Sequence, residues 1–117
     1  GDSEPEPDLA IVRFKADDYA FAHPTFGDIG VVIEVAETSL AKDRRKARIY
    51  AAAGVECYWI INLNSDEIES FTAPQADAAD AAYSQRQILT GDEPLILCLD
   101  GVQVARFPSH NLIPKVT

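Results

Sequence analysis

Two apolar runs dominate the hydrophobic pattern, residues 31–35 and 57–63, and a polar segment of helical length lies between them. Both runs are rich in β-branched and aromatic residues and have the length of buried parallel strands. A helix between two such strands is what a right-handed parallel crossover requires. We therefore predict a strand-helix-strand unit over residues 31–63, in a sheet whose strand order the pattern leaves open.

The helix of this unit is predicted over about residues 39–53. Thr38 and Ser39 are candidate N-caps, because their hydroxyls can accept hydrogen bonds from amides of the first turn. Gly54 can adopt the left-handed conformation that commonly ends a helix. With about 100° of rotation per residue, the stripe that faces the sheet comprises Leu40, Ala47 and Ala51, with Asp43 and Tyr50 at its border.

The basic residues of the helix fall into two sets. Arg44, Arg45 and Arg48 are predicted to point away from the sheet, either as a solvated face or as contacts to phosphate. Lys46 lies at the border between buried and wet surface, where its side chain can reach a neighbouring strand. An ion pair between Lys46 and Asp43, three residues apart on the helix, is an equally good interpretation.

Glu34 interrupts the first apolar run, and Asp8 precedes a further short strand predicted over residues 9–12. An ionised carboxylate in an apolar strand needs a cation or hydrogen-bond donors to offset the cost of desolvation. If the two strands are neighbours, the carboxylates of Asp8 and Glu34 converge. Such a pair either raises the pKa of one member or binds a divalent cation.

The remaining pattern predicts mainly short strands. Turn residues at 62–67 precede a strand at 68–72 that returns antiparallel to the strand containing Trp59. Residues 73–82 are small and acidic without periodicity, which indicates an exposed loop. Further predictions are a loop at 17–28 containing His23, a strand at 83–89, a buried strand at 95–99, and a turn at Asp100-Gly101 that leads into 102–104.

Composition favours a soluble protein with one domain. The 117 residues suit a single core, with residues 1–7 expected to be a mobile acidic, proline-rich N-terminus and residues 8–117 the folded domain. Cys57 and Cys98 lack metal-ligand spacing and are interpreted as reduced core residues. No apolar run has the length of a membrane helix and no signal pattern opens the sequence, which favours a cytoplasmic location.

The net charge of −9 argues against a nuclease, since nucleic-acid binding depends on basic groups that neutralise phosphate. Much of the acid, however, lies in residues 2–8 and 73–93. Positive charge gathers instead on the predicted helix, at Lys42, Arg44, Arg45, Lys46 and Arg48. The overall charge therefore lowers the expectation of a nuclease without excluding it.

Several short motifs occur together in this chain: Pro-Asp, Glu-Val inside a β-branched strand, Ser-Leu-Ala-x-Asp-Arg-x-Lys-Ala-x-x-Tyr-Ala, and Ala-Gly-Val-x-x-Tyr-Trp-Ile-Ile-x-Leu. This combination resembles the Uma2 (DUF820) family of endonucleases. The resemblance implies an α/β restriction-endonuclease-like PD-(D/E)xK fold, with a crossover helix packed on a mixed β-sheet. The residues that carry it are Pro7, Asp8, Glu34, Val35, Ser39, Leu40, Asp43, Arg44, Lys46, Tyr50, Gly54, Val55, Tyr58 and Trp59.

The resemblance also implies a site. Asp8 and Glu34 match the family's metal-binding carboxylates, and the backbone carbonyl of Val35 is a further expected ligand for Mg²⁺ or Mn²⁺. The wider superfamily has a lysine two residues after the glutamate, whereas this chain has Ala36 there. Lys46, which matches the family's helix lysine, is expected to supply the missing catalytic charge.

From the resemblance we expect a Mg²⁺-dependent endonuclease that acts on nucleic acid, with DNA preferred over RNA. The chain begins close to the Pro-Asp motif, so the family's N-terminal segment is expected to be missing from it. Apolar surface left uncovered by a partial fold would favour a homodimer. The alternative is a non-catalytic oligomerisation or binding module that keeps the fold, which the acidic charge and Ala36 favour.

Overall fold

The computed structural model describes residues 8–12, 29–76 and 79–113. Two expectations therefore lie outside the described residues: the mobile N-terminus at 1–7 and the loop at 17–28 with His23.

The described residues form seven strands and one α-helix. In chain order these are β1 (Leu9–Val12), β2 (Ile29–Ala36), α1 (Leu40–Ala52), β3 (Cys57–Asn62), β4 (Glu67–Gln75), β5 (Ala82–Thr90), β6 (Pro94–Leu99) and β7 (Val102–Pro108), and a 3₁₀ helix follows at Ser109–Leu112. The helix predicted over residues 39–53 thus begins and ends within one residue of the prediction.

Five strands form one mixed sheet in the order β1-β2-β3-β4-β5. Strands β2 and β3 are parallel, which confirms the predicted crossover, and the other neighbours in this sheet are antiparallel. Strands β6 and β7 form a separate antiparallel pair, which we call the ribbon. The predicted α/β fold class, a mixed sheet with a crossover helix packed on it, is confirmed and is consistent with the restriction-endonuclease-like fold.

The two faces of the sheet bury two different cores, because successive side chains of a strand point to opposite faces. On one face α1 contributes Tyr50 to a cluster that contains Val32, Tyr58, Ile60 and Phe71. On the other face the ribbon covers the sheet, and its core is formed by Ile33, Trp59, Ile68 and Leu95, with Phe107 packed against them. The sheet is therefore the middle of three layers.

The ends of α1 follow the prediction only in part. Gly54 has a φ of 78°, the left-handed conformation that was expected after the helix. Ser39 is the N-cap residue, yet its side chain caps no backbone amide. Its hydroxyl donates to Oδ2 of Asp43 at 2.8 Å.

Two predictions for the second half of the chain need correction. Residues 73–75 continue β4, and Pro74 pairs with Tyr83, so the predicted loop at 73–82 is shorter than expected; residues 77–78 lie outside the described part of it. The strand predicted as buried at 95–99 is buried fully only at Leu95, and Ile96 is 40% exposed. The reason is that this strand belongs to the ribbon and has only one face on the core.

Candidate active site

The pairing of β1 with β2 brings Asp8 next to Glu34. Leu9 pairs with Ile33 in the antiparallel register, so the residue before Leu9 reaches the level of Glu34. The backbone N–H of Asp8 donates to Oε1 of Glu34 at 2.8 Å, and the backbone N–H of Val35 donates to Oδ2 of Asp8 at 2.8 Å. Each carboxylate is therefore held by a backbone amide of the other strand.

Glu34 is buried, with 1% of its surface exposed. Its Oε2 accepts hydrogen bonds from Nζ of Lys46 at 3.1 Å and from the hydroxyl of Tyr50 at 3.4 Å. Burial and the negative charge of Glu34 both raise the pKa of Tyr50, so the phenol keeps its proton and remains a donor. These partners offset the cost of burying a charge in an apolar strand.

Lys46 contacts two acids, Glu34 and Asp43. Its Nζ lies 3.1 Å from Oε2 of Glu34 and 3.4 Å from Oδ1 of Asp43. The predicted reach from the helix border to a strand and the alternative ion pair with Asp43 therefore occur together. Burial by itself lowers the pKa of Lys46, but the hydrogen bonds and charges of Glu34 and Asp43 together outweigh it and raise the pKa, so the ammonium stays charged.

Asp8 is the exposed end of this arrangement. Its side chain is accessible, and within the described part of the chain only Oδ2 accepts a hydrogen bond. The second oxygen, Oδ1, is therefore free of described partners and open to solvent or a ligand. Val35 is half-buried, and its N–H donates to Asp8. The role of its carbonyl as a metal ligand stays a prediction.

Asp43 is the residue of this site that sequence reasoning undervalued. It is 3% exposed, it contacts Lys46, and its other oxygen accepts the hydroxyl of Ser39. Its backbone carbonyl accepts the hydroxyl of Tyr58 at 2.7 Å. The signal was available in the sequence, since an aspartate at the border of a sheet-facing stripe needs a charged partner.

Arg44 corrects the prediction that three arginines point away from the sheet. Its guanidinium donates to Glu69 of β4, which is fully buried and also accepts from Arg86 of β5 at 3.0 Å. Burial alone would raise the pKa of Glu69, but the two guanidiniums lower it. Arg45 and Arg48 are exposed as predicted.

The family model described as "Uma2: Putative restriction endonuclease" matches residues 1–106. This match covers most of the 117 residues. The chain belongs to the Uma2 family. Membership suggests a nuclease function, implies a nucleic-acid substrate, and places this Uma2 protein among restriction-endonuclease-like families, which generally use divalent metals. Comparisons with curated proteins and with solved structures gave no match.

Two further observations bear on the site and the surface of this Uma2 protein. Across the described residues, no three or more His, Cys, Asp or Glu side chains gather in a way that could hold a metal ion, so the candidate centre there consists of the Asp8–Glu34 pair. No helix among those residues has the length and apolarity needed to cross a membrane.

Proposed function

We propose that this Uma2 protein is a Mg²⁺-dependent endonuclease that hydrolyses phosphodiester bonds at the Asp8–Glu34 pair. The observation that carries the proposal is the reciprocal bonding of these two carboxylates, which come from separate strands, with the ammonium of Lys46 on the buried one. An acidic pair can bind a metal ion, and the adjacent ammonium can offset negative charge that develops on the phosphate.

The residues present fit a magnesium ion. Proteins commonly hold Mg²⁺ with one or two carboxylates, leaving the other positions to water and substrate phosphate oxygens. Asp8 supplies an oxygen without a described partner, Oε1 of Glu34 has one described donor and keeps a second lone pair, and the Val35 carbonyl is the further ligand we propose. A bound Mg²⁺ or Mn²⁺ would polarise the phosphate and activate water.

The protein's own contribution would be positioning and charge. Lys46 is held charged beside Glu34, from where its ammonium would offset negative charge that develops on the phosphate. Tyr50 and Asp43 fix the positions of Glu34 and Lys46. These groups lie beneath the exposed carboxylate of Asp8, so we propose that substrate approaches from the Asp8 side.

Substrate binding would depend on the exposed cations of α1. Lys42, Arg45 and Arg48 are exposed, and the ion pair of Arg48 with Asp80 is long, at 3.5 Å, and largely solvated. Because these cations would displace counterions from the phosphates, we expect binding to weaken as the salt concentration rises. DNA is the substrate we propose ahead of RNA, with the cytoplasm as the location, since the family description names restriction endonucleases.

The proposal is tested by Mg²⁺-dependent cleavage of plasmid DNA by the parent and by Lys46→Ala. We expect Lys46→Ala to reduce turnover by about a hundredfold, as the loss of one preorganised charge typically does, with metal binding retained and a lower melting temperature, because Glu34 and Asp43 lose a charged partner. The control is Arg45→Ala, which removes an exposed helix cation and should raise KM in a salt-dependent way while turnover persists. Equal turnover in Lys46→Ala and the parent would contradict the assigned role.

The second candidate function is a non-catalytic binding or oligomerisation module. One observation favours it: both oxygens of Glu34 already have protein donors, so its burial is explained by the protein alone. On this alternative the parent would cleave neither DNA nor RNA with Mg²⁺ or Mn²⁺. Cleavage that EDTA abolishes and excess Mg²⁺ restores would exclude the module as the sole function.

A further inference from the structure

We infer that Asp43 is a positioning residue whose carboxylate keeps the ammonium of Lys46 at the site while Glu34 binds a divalent cation. The inference rests on the proposed function and extends it to Asp43, which belongs to the sequence motif but is not one of the proposed metal ligands. It follows from the way Lys46 is shared between two buried carboxylates.

Glu34 cannot serve Lys46 and a divalent cation equally, because both are positive and both use its oxygens. A lysine paired with Glu34 alone would either compete with the metal ion or be displaced toward solvent by charge repulsion. Nζ of Lys46 has a second carboxylate oxygen, Oδ1 of Asp43, at 3.4 Å. It can therefore release Glu34 and keep an ionic partner without leaving the site.

Asp43 is itself held firmly enough to act as such an anchor. Its carboxylate is 5% exposed, and its Oδ2 accepts the hydroxyl of Ser39. Its backbone N–H donates to the carbonyl of Ser39 at 2.8 Å, and its carbonyl accepts the hydroxyl of Tyr58 at 2.7 Å. Both polar backbone groups and both carboxylate oxygens of Asp43 thus have a partner, which leaves its side chain little freedom to follow a moving lysine.

The charges of these four residues are consistent with a metal ion on the Asp8–Glu34 pair and Lys46 on Asp43. Asp8, Glu34 and Asp43 contribute three negative charges and Lys46 one positive charge, so the set is two charges short of neutrality. One divalent cation at the Asp8–Glu34 pair would neutralise it if Lys46 remained paired with Asp43. Without Asp43, Lys46 and the cation would together place three positive charges on two carboxylates.

The experiment is a double-mutant cycle on Mn²⁺ affinity, measured by calorimetric titration of the full chain with MnCl₂. Asp43→Asn keeps the shape of the side chain but removes its charge, so Lys46 pairs with Glu34 alone and competes with the metal ion. We expect Asp43→Asn to weaken Mn²⁺ binding about tenfold. In a Lys46→Ala background the same substitution should change affinity by less than about twofold, because the competing ammonium is gone.

The cycle separates the inference from the simpler explanation that Asp43 attracts the cation through space. On that explanation Asp43→Asn weakens Mn²⁺ binding equally with and without Lys46, and this result would overturn the inference. Glu37→Gln, which removes an exposed negative charge three residues from Glu34, is the charge-matched control and should leave the affinity unchanged. Ser39→Ala, which frees one oxygen of Asp43, should reproduce part of the loss with the fold intact.

The outcomes also separate this inference from the proposed function. Mn²⁺ binding by the parent with no coupling between Asp43 and Lys46 would overturn the inference and leave the proposed function standing. A parent that binds no Mn²⁺ would overturn both. A melting temperature of Asp43→Asn close to that of the parent, combined with coupling in the cycle, supports positioning over a purely structural role.

Discussion

Glu69 shows how a single buried carboxylate is stabilised in this protein without a metal ion. It lies on the same face of the sheet as Glu34 but on β4, and its oxygens accept from Arg44 and Arg86. The two guanidiniums are half exposed, at 44% and 46% of their side-chain surface. Glu69 therefore ties α1 to β4 and β5 through one buried acid and two solvent-facing cations.

We predict that these ion pairs of Glu69 make the free energy of unfolding depend on pH. Because the pKa of Glu69 is lower in the folded protein than its ordinary value of 4.5, its charge stabilises the fold above that ordinary value. The stabilisation is lost as the pH falls through the lower, folded pKa. Glu69→Gln should cost about 2 kcal/mol at pH 7, less than for a fully buried pair because both arginines meet solvent.

The measurement is urea unfolding of the parent and of Glu69→Gln between pH 7 and pH 3. The difference in unfolding free energy should shrink steadily below pH 4.5, the ordinary pKa of the carboxyl. Glu67→Gln, on the same strand but only partly buried, is the matched control and should show little difference at any pH. A Glu69→Gln difference that stays constant with pH would contradict the account.

Single residues were predictable where position alone decides their environment. Lys46 was placed correctly at the helix border, and Glu34 was identified because an acid in an apolar strand needs partners. Arg44 was misjudged because a helical wheel gives only the direction of the first side-chain bond, whereas a long guanidinium can bend back to an acid on a strand. Glu69 itself occupies a strand with mixed polarity, so nothing in its neighbours marked it as buried.

Among the elements, the crossover was predictable and the ribbon was not. Strands β2 and β3 are mainly apolar runs joined by a segment of helical length, a pattern typical of parallel pairing. Strands β6 and β7 carry ordinary short-strand patterns, and the Asp100-Gly101 turn predicts their hairpin. The side of the sheet on which the hairpin packs depends on contacts with Trp59 and its neighbours. The hairpin's own sequence does not specify these contacts.

The homodimer stays a prediction, and the ribbon carries exposed apolar residues that could serve it. Three of its apolar residues remain exposed, Ile96 at 40%, Val102 at 62% and Val104 at 54%. We propose that two copies associate through this surface. Light scattering should then report a dimer for the parent and a monomer for Val104→Lys, because a buried lysine without a partner is costly at an interface.

The matched control for the dimer is Ile49→Lys, which places the same charge on α1 at an apolar residue that is 43% exposed. That variant should remain a dimer. A parent that is monomeric at all concentrations, or a Val104→Lys variant that still dimerises, would contradict the proposed interface.

At the scale of the whole molecule, the sheet positions two acids that are 26 residues apart in sequence at one end of neighbouring strands. The sequence predicted this convergence only on condition that β1 and β2 pair, since local patterns do not fix strand order. The helix then adds Lys46 and Asp43 from the layer above. We propose that a divalent cation binds where these residues meet.

The most direct test is the anomalous difference density of a crystal grown or soaked with MnCl₂. We expect one strong peak about 2.1 Å from oxygens of both Asp8 and Glu34, with Lys46 still beside Asp43, and no peak there in Glu34→Gln crystals. A parent crystal with no manganese peak at this pair, or with manganese bound only elsewhere on the molecule, would contradict this proposal.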